Sequence, residues 1–184
     1  DAHTCGTRAG SLYCWGNNGQ GRLGDGTTTQ RLTPTQVGTA TDWSGVDNGG
    51  SHTCGTRVGS LYCWGANNAG QLGNGTTTDS LTAIPVPGMN NVVSIAAGIA
   101  HSLAVKSDGT VWAWGQNFSG QLGDGTTTGK KVPVQVTGLT TATRVASGGS
   151  NGRFSLALLA SGAVMAWGDN QIGTLGDGTD INRS

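Results

Sequence analysis

The sequence predicts an all-β protein built from β-propeller blades of four short antiparallel strands, on three observations. One glycine-rich motif recurs four times, with its tryptophans 49, 50 and 53 residues apart, a period typical of propellers and solenoids. The composition disfavours helices, because 34 of 184 residues are glycine and glutamate is absent. Alternating runs joined at glycine turns precede each motif, as in β-hairpins. A hydrophobic content of 35% fits a core divided among small sheets.

The repeated motif reads W-G-x-N-x-x-G-x-L-G-(D/N)-G. We expect its tryptophan to end a strand and cover the gap between neighbouring sheets, and its leucine to anchor the loop that follows. The tryptophans are Trp15, Trp64, Trp114 and Trp167, and the leucines are Leu23, Leu72, Leu122 and Leu175. A feature present in every repeat is more typical of architecture than of a unique site.

Each repeat contains about four short runs that read as strands. The hairpin of the second repeat joins 51–57 to 60–64, and that of the third joins 101–106 to 110–114. Shorter runs near prolines follow the glycine loops, at 34–37, 84–86 and 132–136, and the run 91–98 leads into the next hairpin. We therefore predict one partial propeller over residues 1–184, with about 3.5 to 4 blades and repeats at 1–40, 41–89, 90–138 and 139–184.

The four cysteines fall into two opposed pairs. A two-residue turn at Ala9-Gly10 places Cys5 opposite Cys14, and the same register around Val58-Gly59 places Cys54 opposite Cys63. Directly opposed Cβ atoms lie about 4.5–5.5 Å apart, near the range that a disulfide can bridge. β-Branched Val58 is unfavourable at the positive φ of such a turn, so the pairing is better specified than the turn.

The later repeats support a paired role for the cysteines. Their hairpins are one residue longer and place Leu103 opposite Ala113 and Leu156 opposite Ala166. The cysteines are therefore present together or absent together, as expected of disulfides, which indicate an oxidising compartment. Two alternatives are reduced thiols and a metal site that joins His3 or His52 to the cysteines, although a structural zinc site needs four ligands.

Three histidines also follow the repeat. His3, His52 and His101 are 49 residues apart, and Phe154 takes the fourth position. We expect them to satisfy backbone carbonyls where the blades meet. The alternative is an acid or base, but no serine, cysteine or carboxylate stands beside them in a distinctive way. No catalytic residue, cofactor or metal ligand is predicted, and calcium binding in the Asp-Gly-Thr loops is a weaker alternative.

The motif, with the preceding segment "AGIAHSL" at 97–103, resembles the repeat of the regulator of chromosome condensation family over essentially the whole chain. Kelch repeats have a similar period but a different order of glycines and aromatic residues. The resemblance implies a propeller, usually of seven blades. The family includes nuclear nucleotide exchange factors, plant photoreceptors and a secreted bacterial inhibitor of β-lactamases. The cysteine-paired form is most similar to repeats of extracellular or cell-surface bacterial proteins.

The low charge and the lack of long apolar runs argue against nucleic-acid binding and membrane insertion. The formal net charge is +0 and charged residues make up 11%, so the basic surface needed for nucleic acid is absent. No apolar run is long enough for membrane insertion. Trp112 and Trp114 occupy strand positions typical of core, so a photoreceptor role is not expected of them.

We therefore expect a secreted, non-enzymatic recognition scaffold, extracellular or on the cell surface, that binds a protein or glycan through rim loops. The alternatives are an enzyme or enzyme-associated propeller, inhibitor-like or hydrolytic, and a structural repeat of a surface assembly. Seven blades would need nearly twice this length. The chain is therefore expected to be part of a longer polypeptide, and to self-associate through open blade edges when isolated.

Overall fold

A computed structural model describes residues 3–148 and 152–184. Their regular structure is almost entirely β, with one short 3₁₀ turn, η1, at Gly19–Gly21. The strands are β1 His3–Arg8, β2 Ser11–Gly16, β3 Arg31–Gln36, β4 Trp43–Asn48, β5 His52–Arg57, β6 Ser60–Gly65, β7 Ser80–Pro85, β8 Val92–Ala97, β9 His101–Lys106, β10 Val111–Gly115, β11 Lys130–Gln135, β12 Ala142–Ser147, β13 Phe154–Leu159 and β14 Val164–Gly168.

The strands form four separate antiparallel sheets in chain order, which we call blades 1 to 4. Blade 1 contains β1–β3, blade 2 β4–β7, blade 3 β8–β11 and blade 4 β12–β14. Within each blade, every strand pairs with the next strand of the chain, and an isolated bridge from Gly168 to Arg183 extends blade 4. The predicted all-β partial propeller is confirmed, and blades 2 and 3 have the four strands expected of a complete blade.

The hairpin registers agree with those predicted from the turns. Cys5 is opposite Cys14 and Cys54 is opposite Cys63, whereas the longer hairpins pair Leu103 with Ala113 and Leu156 with Ala166. Val58 adopts the unfavourable positive φ, at 47°, with Gly59 at 75°. Its side chain is exposed, so the turn strains the backbone but causes no clash in the core.

The core is divided among three clusters, one at each junction between successive blades. Each cluster joins aliphatic or cysteine side chains of one blade to a tryptophan of the next, such as Leu61 and Leu72 of blade 2 with Trp114 of blade 3. The same arrangement packs Leu12 and Leu23 against Trp64, and Leu122 against Trp167. This division explains how a chain with few hydrophobic residues builds a four-blade structure.

The segments between the third and fourth strand positions all emerge at the same end of the blades. We call them glycine loops 1 to 4, and together they form the loop rim. They comprise residues 17–30, 66–79, 116–129 and 169–182. Each starts after a glycine at φ of about +100°, such as Gly65 at 98°. A side chain there would lie 2.7 Å from the Ser51 carbonyl oxygen, so the W-G dipeptide requires glycine.

Candidate functional site

An asparagine amide organises each glycine loop. In loop 3, Asn117 is fully buried, and its Nδ2 donates to Asp124 Oδ1 at 3.2 Å, to the Thr126 carbonyl at 3.0 Å and to the Thr128 carbonyl at 3.2 Å. Its Oδ1 accepts from the Leu122 amide at 2.9 Å. The amide therefore holds both halves of the loop, and the equivalent residues in the other loops are Asn18, Asn67 and Asn170.

This arrangement bears on the calcium alternative. The carboxylate, hydroxyl and carbonyl oxygens of loop 1 do converge, but they converge on the Nδ2 of Asn18, within 3.0–3.3 Å. A cation at that point would have to displace the amide group. The loop oxygens are therefore satisfied by an internal donor.

A charge pair stabilises the loops that carry aspartate. Asp25 pairs with Arg31, Asp124 with Lys130 and Asp177 with Arg183. Loop 2 has Asn74 in place of the aspartate and Ser80 in place of the base. Sequence analysis missed this pairing, although the constant separation of six residues was available as a signal.

These contacts also set the protonation of the loop carboxylates. Partial burial acts to raise the pKa of Asp25, but hydrogen bonds from Thr27 and Arg31 outweigh burial and hold that pKa below its usual value. Hydrogen bonds from Thr179 and Arg183 likewise lower the pKa of Asp177. The loop aspartates are therefore charged at neutral pH and act as structural acceptors.

In each of glycine loops 1 to 3, the next blade holds the loop in place. The indole Nε1 of Trp114, in blade 3, donates to the Gln71 carbonyl of loop 2 at 2.8 Å, and Gly73 lies directly against that indole. Trp64 and Trp167 make the same bond to Arg22 and Gln121. Each of these tryptophans packs against apolar side chains of the preceding blade, and Leu23, Leu72 and Leu122 are fully buried beneath the loops.

The two terminal motif copies differ from the inner ones. Trp15 is only half-buried, and Leu175 is half-buried where the other three motif leucines are inaccessible. Trp112, the other tryptophan of β10, packs at the edge of the core. The predicted repeat positions are therefore core residues wherever a further blade covers them.

The histidines join successive blades through a hydroxyl group. His52 Nε2 lies 2.9 Å from Ser102 Oγ, and that hydroxyl donates to the Gln71 carbonyl at 2.8 Å. The same chain links His3 to Thr53 and His101 to Ser155. The hydroxyl donates its only proton to the carbonyl. The histidine Nε2 must therefore carry a proton and donate it to the hydroxyl oxygen.

Two details of the sequence-based interpretation of the histidines were wrong. The histidines reach the backbone carbonyls through a hydroxyl and not directly, and a serine or threonine does stand beside each of them. A sequence signal for this contact does exist. The residue directly after the histidine position of each repeat carries a hydroxyl, and it bonds to the histidine of the preceding repeat. These hydroxyl residues are Thr53, Ser102 and Ser155.

Burial keeps these histidines neutral. It lowers the pKa of His101 to about 4. Burial, together with the neighbouring histidines, lowers the pKa of His52 to about 3, and burial, together with Arg22, lowers that of His3 to about 4. A serine–histidine pair resembles a nucleophile and its base, but both Ser102 and His52 are inaccessible, and the hydroxyl proton points away from the histidine. The arrangement is structural.

Both predicted disulfides are present, Cys5–Cys14 and Cys54–Cys63. They remove the thiolates that the alternative metal site would need. In the described parts of the chain, no group of three His, Cys or Asp side chains is placed to hold a metal ion. No helix among those residues is long and apolar enough to cross a membrane.

The loop rim carries three large exposed apolar side chains among the described residues, and Ile181 near the end of loop 4 is the least exposed of them. Phe118 in loop 3 is 79% exposed and Ile172 in loop 4 is 84% exposed, and these two loops are neighbours in the blade order. Most of the threonine segments 27–29, 76–78 and 126–128 is also exposed. Sequence analysis did not single out Phe118 or Ile172, because they occupy variable positions of the motif.

Models of one known repeat family match most of the chain. The model of the regulator of chromosome condensation (RCC1) repeat matches residues 9–55, 58–105 and 108–157, and a second RCC1 repeat model matches residues 92–121. The chain belongs to the RCC1 repeat family. No curated protein matches it significantly.

Three solved structures show the same RCC1 fold. Human WBSCR16 superposes with a TM-score of 0.87 at 24% identity, over 98% of this chain and 49% of that one. Yeast RCC1 (Prp20), solved with Kap60, gives 0.78 at 23% identity, over 95% and 43%. Prp20p from Saccharomyces cerevisiae, described with its binding properties to Gsp1p and histones, gives 0.77 at 22%, over 94% and 44%. The chain thus spans less than half the length of each.

Proposed function

We propose that this RCC1 repeat chain is a non-enzymatic recognition scaffold whose loop rim binds a partner protein. The observation that carries the proposal is the exposure of Phe118 and Ile172 on neighbouring loops whose backbones are fixed by Asn117 and Asn170. Large apolar side chains on a rigid support are typical anchors of protein interfaces. Prp20p, with its binding properties to Gsp1p and histones, is a protein-binding example of this fold.

An extracellular or cell-surface location is part of the proposal. The two disulfides support it, because such bonds persist in oxidising compartments and are rare in the cytosol and nucleus. The formal net charge of +0 gives no electrostatic reason to expect a nucleic-acid or histone partner.

The titratable groups favour binding over catalysis. The buried serine–histidine pairs point their hydroxyl protons at loop carbonyls, so no activated nucleophile results. A cavity of about 320 Å³ between β4 and β8 holds a single carboxylate, Asp47. Burial raises the pKa of Asp47, and its Oδ2 accepts the Ala97 amide, which is a structural contact between blades.

The test is a binding screen with matched variants. The biotinylated chain is applied in parallel to an array of extracellular proteins, to a glycan array and to a panel of ester, peptide and glycoside substrates. We expect saturable binding to a protein, weakened at least tenfold by Phe118→Ala combined with Ile172→Ala. The control Val58→Ala, at an exposed residue of the turn between β5 and β6, at the opposite end of the strands from the rim, should bind like the wild type.

Each other outcome contradicts a specific part of the proposal. Binding confined to glycans and insensitive to the double variant would move the site to the threonine segments of the rim. Turnover of a substrate would favour the enzyme alternative. Protein binding that is equally weakened by Val58→Ala would place the interface at the hairpin turns, at the opposite end of the blades.

A further inference from the structure

The cavity of about 320 Å³ lies at the junction of blades 2 and 3, between their first strands β4 and β8. The first strands β4, β8 and β12 contact one another from blade to blade, which is the arrangement expected of the strands around the axis of a propeller. Every residue that lines the cavity belongs to blade 2 or blade 3, and blades 1 and 4 contact the other sides of these two blades. The cavity therefore does not depend on the end faces of the blade array.

Asp47 is the only charged side chain among the described residues that line this cavity. Burial raises the pKa of its carboxyl group, although main-chain amides donate to it, that of Ala97 at 2.8 Å. No basic side chain of the lining supplies a counter-charge. A desolvated carboxylate without an ion pair costs free energy, and a cation that enters the cavity would reduce that cost.

The other blades show that this position does not require an acid. Asp47 pairs with Cys54 in blade 2. The equivalent residues of blades 3 and 4 are Ala96, which pairs with Leu103, and Ala146, which pairs with Leu156. Because these blades form the same sheet with alanine at this position, the architecture alone does not account for the aspartate.

Aliphatic side chains and hydroxyl groups form most of the remaining lining. Val93 is 60% exposed although it lies within a strand, and Val46 and Ile95 are half-buried. Ser94 and Thr56 contribute hydroxyl groups. An ammonium group has three proton donors and no acceptor, so it can use both the carboxylate and the hydroxyl oxygens. A methylene stem attached to it can pack against the aliphatic side chains.

We propose that this cavity binds an aliphatic ammonium group, with Asp47 as its counter-ion and the aliphatic side chains around its methylene stem. A small alkylamine and a lysine side chain of a partner protein share this chemistry. Calcium does not fit, because it takes about six to eight oxygen ligands and the cavity offers a single carboxylate. No lining residue belongs to a glycine loop, so the site is separate from the interface proposed for Phe118 and Ile172.

Titration of the whole chain with butylammonium, followed by backbone amide chemical shifts, tests the proposal. We expect saturable shifts at the amides of Ala97, which bonds to Asp47, and of Ser94, which lines the cavity. Asp47→Asn preserves shape and removes the charge, so it should weaken binding about tenfold or more, as the loss of a hydrogen bond to a charged group does. Asp180→Asn removes an exposed carboxylate outside the cavity and should bind like the wild type.

Further probes separate the charge from the stem and the two sources of the ammonium group. Butanol has the same stem without the charge and should give no saturable shift. A short lysine-containing peptide that binds as well as butylammonium would identify a partner's lysine as the source, whereas binding of butylammonium alone would identify a small amine.

Three results would overturn the proposal: no saturable shift with either ammonium probe, shifts that Asp47→Asn leaves unchanged, or equal binding of butanol. Asp47→Ala, which copies blades 3 and 4, is a second variant without the carboxylate. It should lose binding while keeping the dispersed amide spectrum of a folded chain.

Discussion

Replacing Asn117 with aspartate tests whether the amide holds the glycine loop together. Asn117→Asp preserves shape but exchanges the donor Nδ2 for an acceptor oxygen, 3.2 Å from Asp124 Oδ1. Two like charges at that distance repel by about 5 kcal/mol at an effective dielectric constant of 20. Protonation of the new carboxyl limits the penalty, since holding a group of ordinary pKa about 3.9 neutral at pH 7 costs about 4 kcal/mol.

Because the cost of protonating the new carboxyl sets the loss of stability, that loss should be large and should depend on pH. We expect Asn117→Asp to lower the free energy of unfolding by about 4 kcal/mol at pH 7. While the new carboxyl is protonated in the folded state and ionised in the unfolded state, the penalty should fall by about 1.4 kcal/mol for each pH unit below 7. Urea unfolding of variant and wild type at each pH measures the difference.

Loop 2 supplies the matched control. Asn67 makes the same contacts, but it faces the neutral Asn74, whose amide can rotate to donate a proton. Asn67→Asp should therefore cost less than Asn117→Asp, and Asp124→Asn should relieve part of the Asn117→Asp penalty in the double variant. Equal costs in the two loops, or a penalty that does not change with pH, would refute the reasoning.

Three further predictions concern the blade junctions and hairpins. The folded-state pKa of His101 is about 4, against an ordinary 6.5, so on acidification the unfolded chain takes up a proton at this residue before the folded chain does. This difference should lower the free energy of unfolding by about 3 kcal/mol between pH 6.5 and pH 4. His101→Phe, which copies Phe154, should reduce that loss of stability in an acid titration. Val58→Gly should raise the free energy of unfolding by about 0.5–1 kcal/mol in urea, since it relieves a non-glycine residue at positive φ; an unchanged or lower value would count against strain. Reduction of Cys54–Cys63 should cost about 2–3 kcal/mol, measured as a lower melting temperature with reductant; Cys54→Leu with Cys63→Ala, copying the third repeat, should show a smaller drop with reductant than the wild type, because only Cys5–Cys14 is left to reduce.

The repeat architecture was predictable because it depends on local patterns. The spacing of the tryptophans, the glycine turns and the alternation of the hairpins together predict small antiparallel sheets. The two-residue turns fix the register that opposes Cys54 to Cys63. The same reasoning could foresee strain at Val58, because the turn geometry follows from loop length alone.

The contacts that hold the loops were not predicted, because they depend on how each loop folds and on side chains of the next blade. The four oxygens around Asn117 come from residues seven to eleven positions further along the chain, and the hydroxyl that meets His52 comes from the next blade. An exposed rim residue such as Phe118 carries no periodic signal, because its exposure depends on how the loop folds.

Amide hydrogen exchange tests most directly the central claim that each of glycine loops 1 to 3 is held by the blade that follows it. The Gly26 amide of loop 1 donates to the Leu81 carbonyl of β7 at 2.9 Å, and the Gly75 amide of loop 2 donates to the Lys131 carbonyl of β11 at 2.8 Å. Among the described residues, the equivalent Gly178 amide of loop 4 makes no such bond to a following blade. At concentrations where the chain is a monomer, Gly26 and Gly75 should exchange at least a hundredfold more slowly than Gly178. Equal rates at the three glycines would contradict the claim.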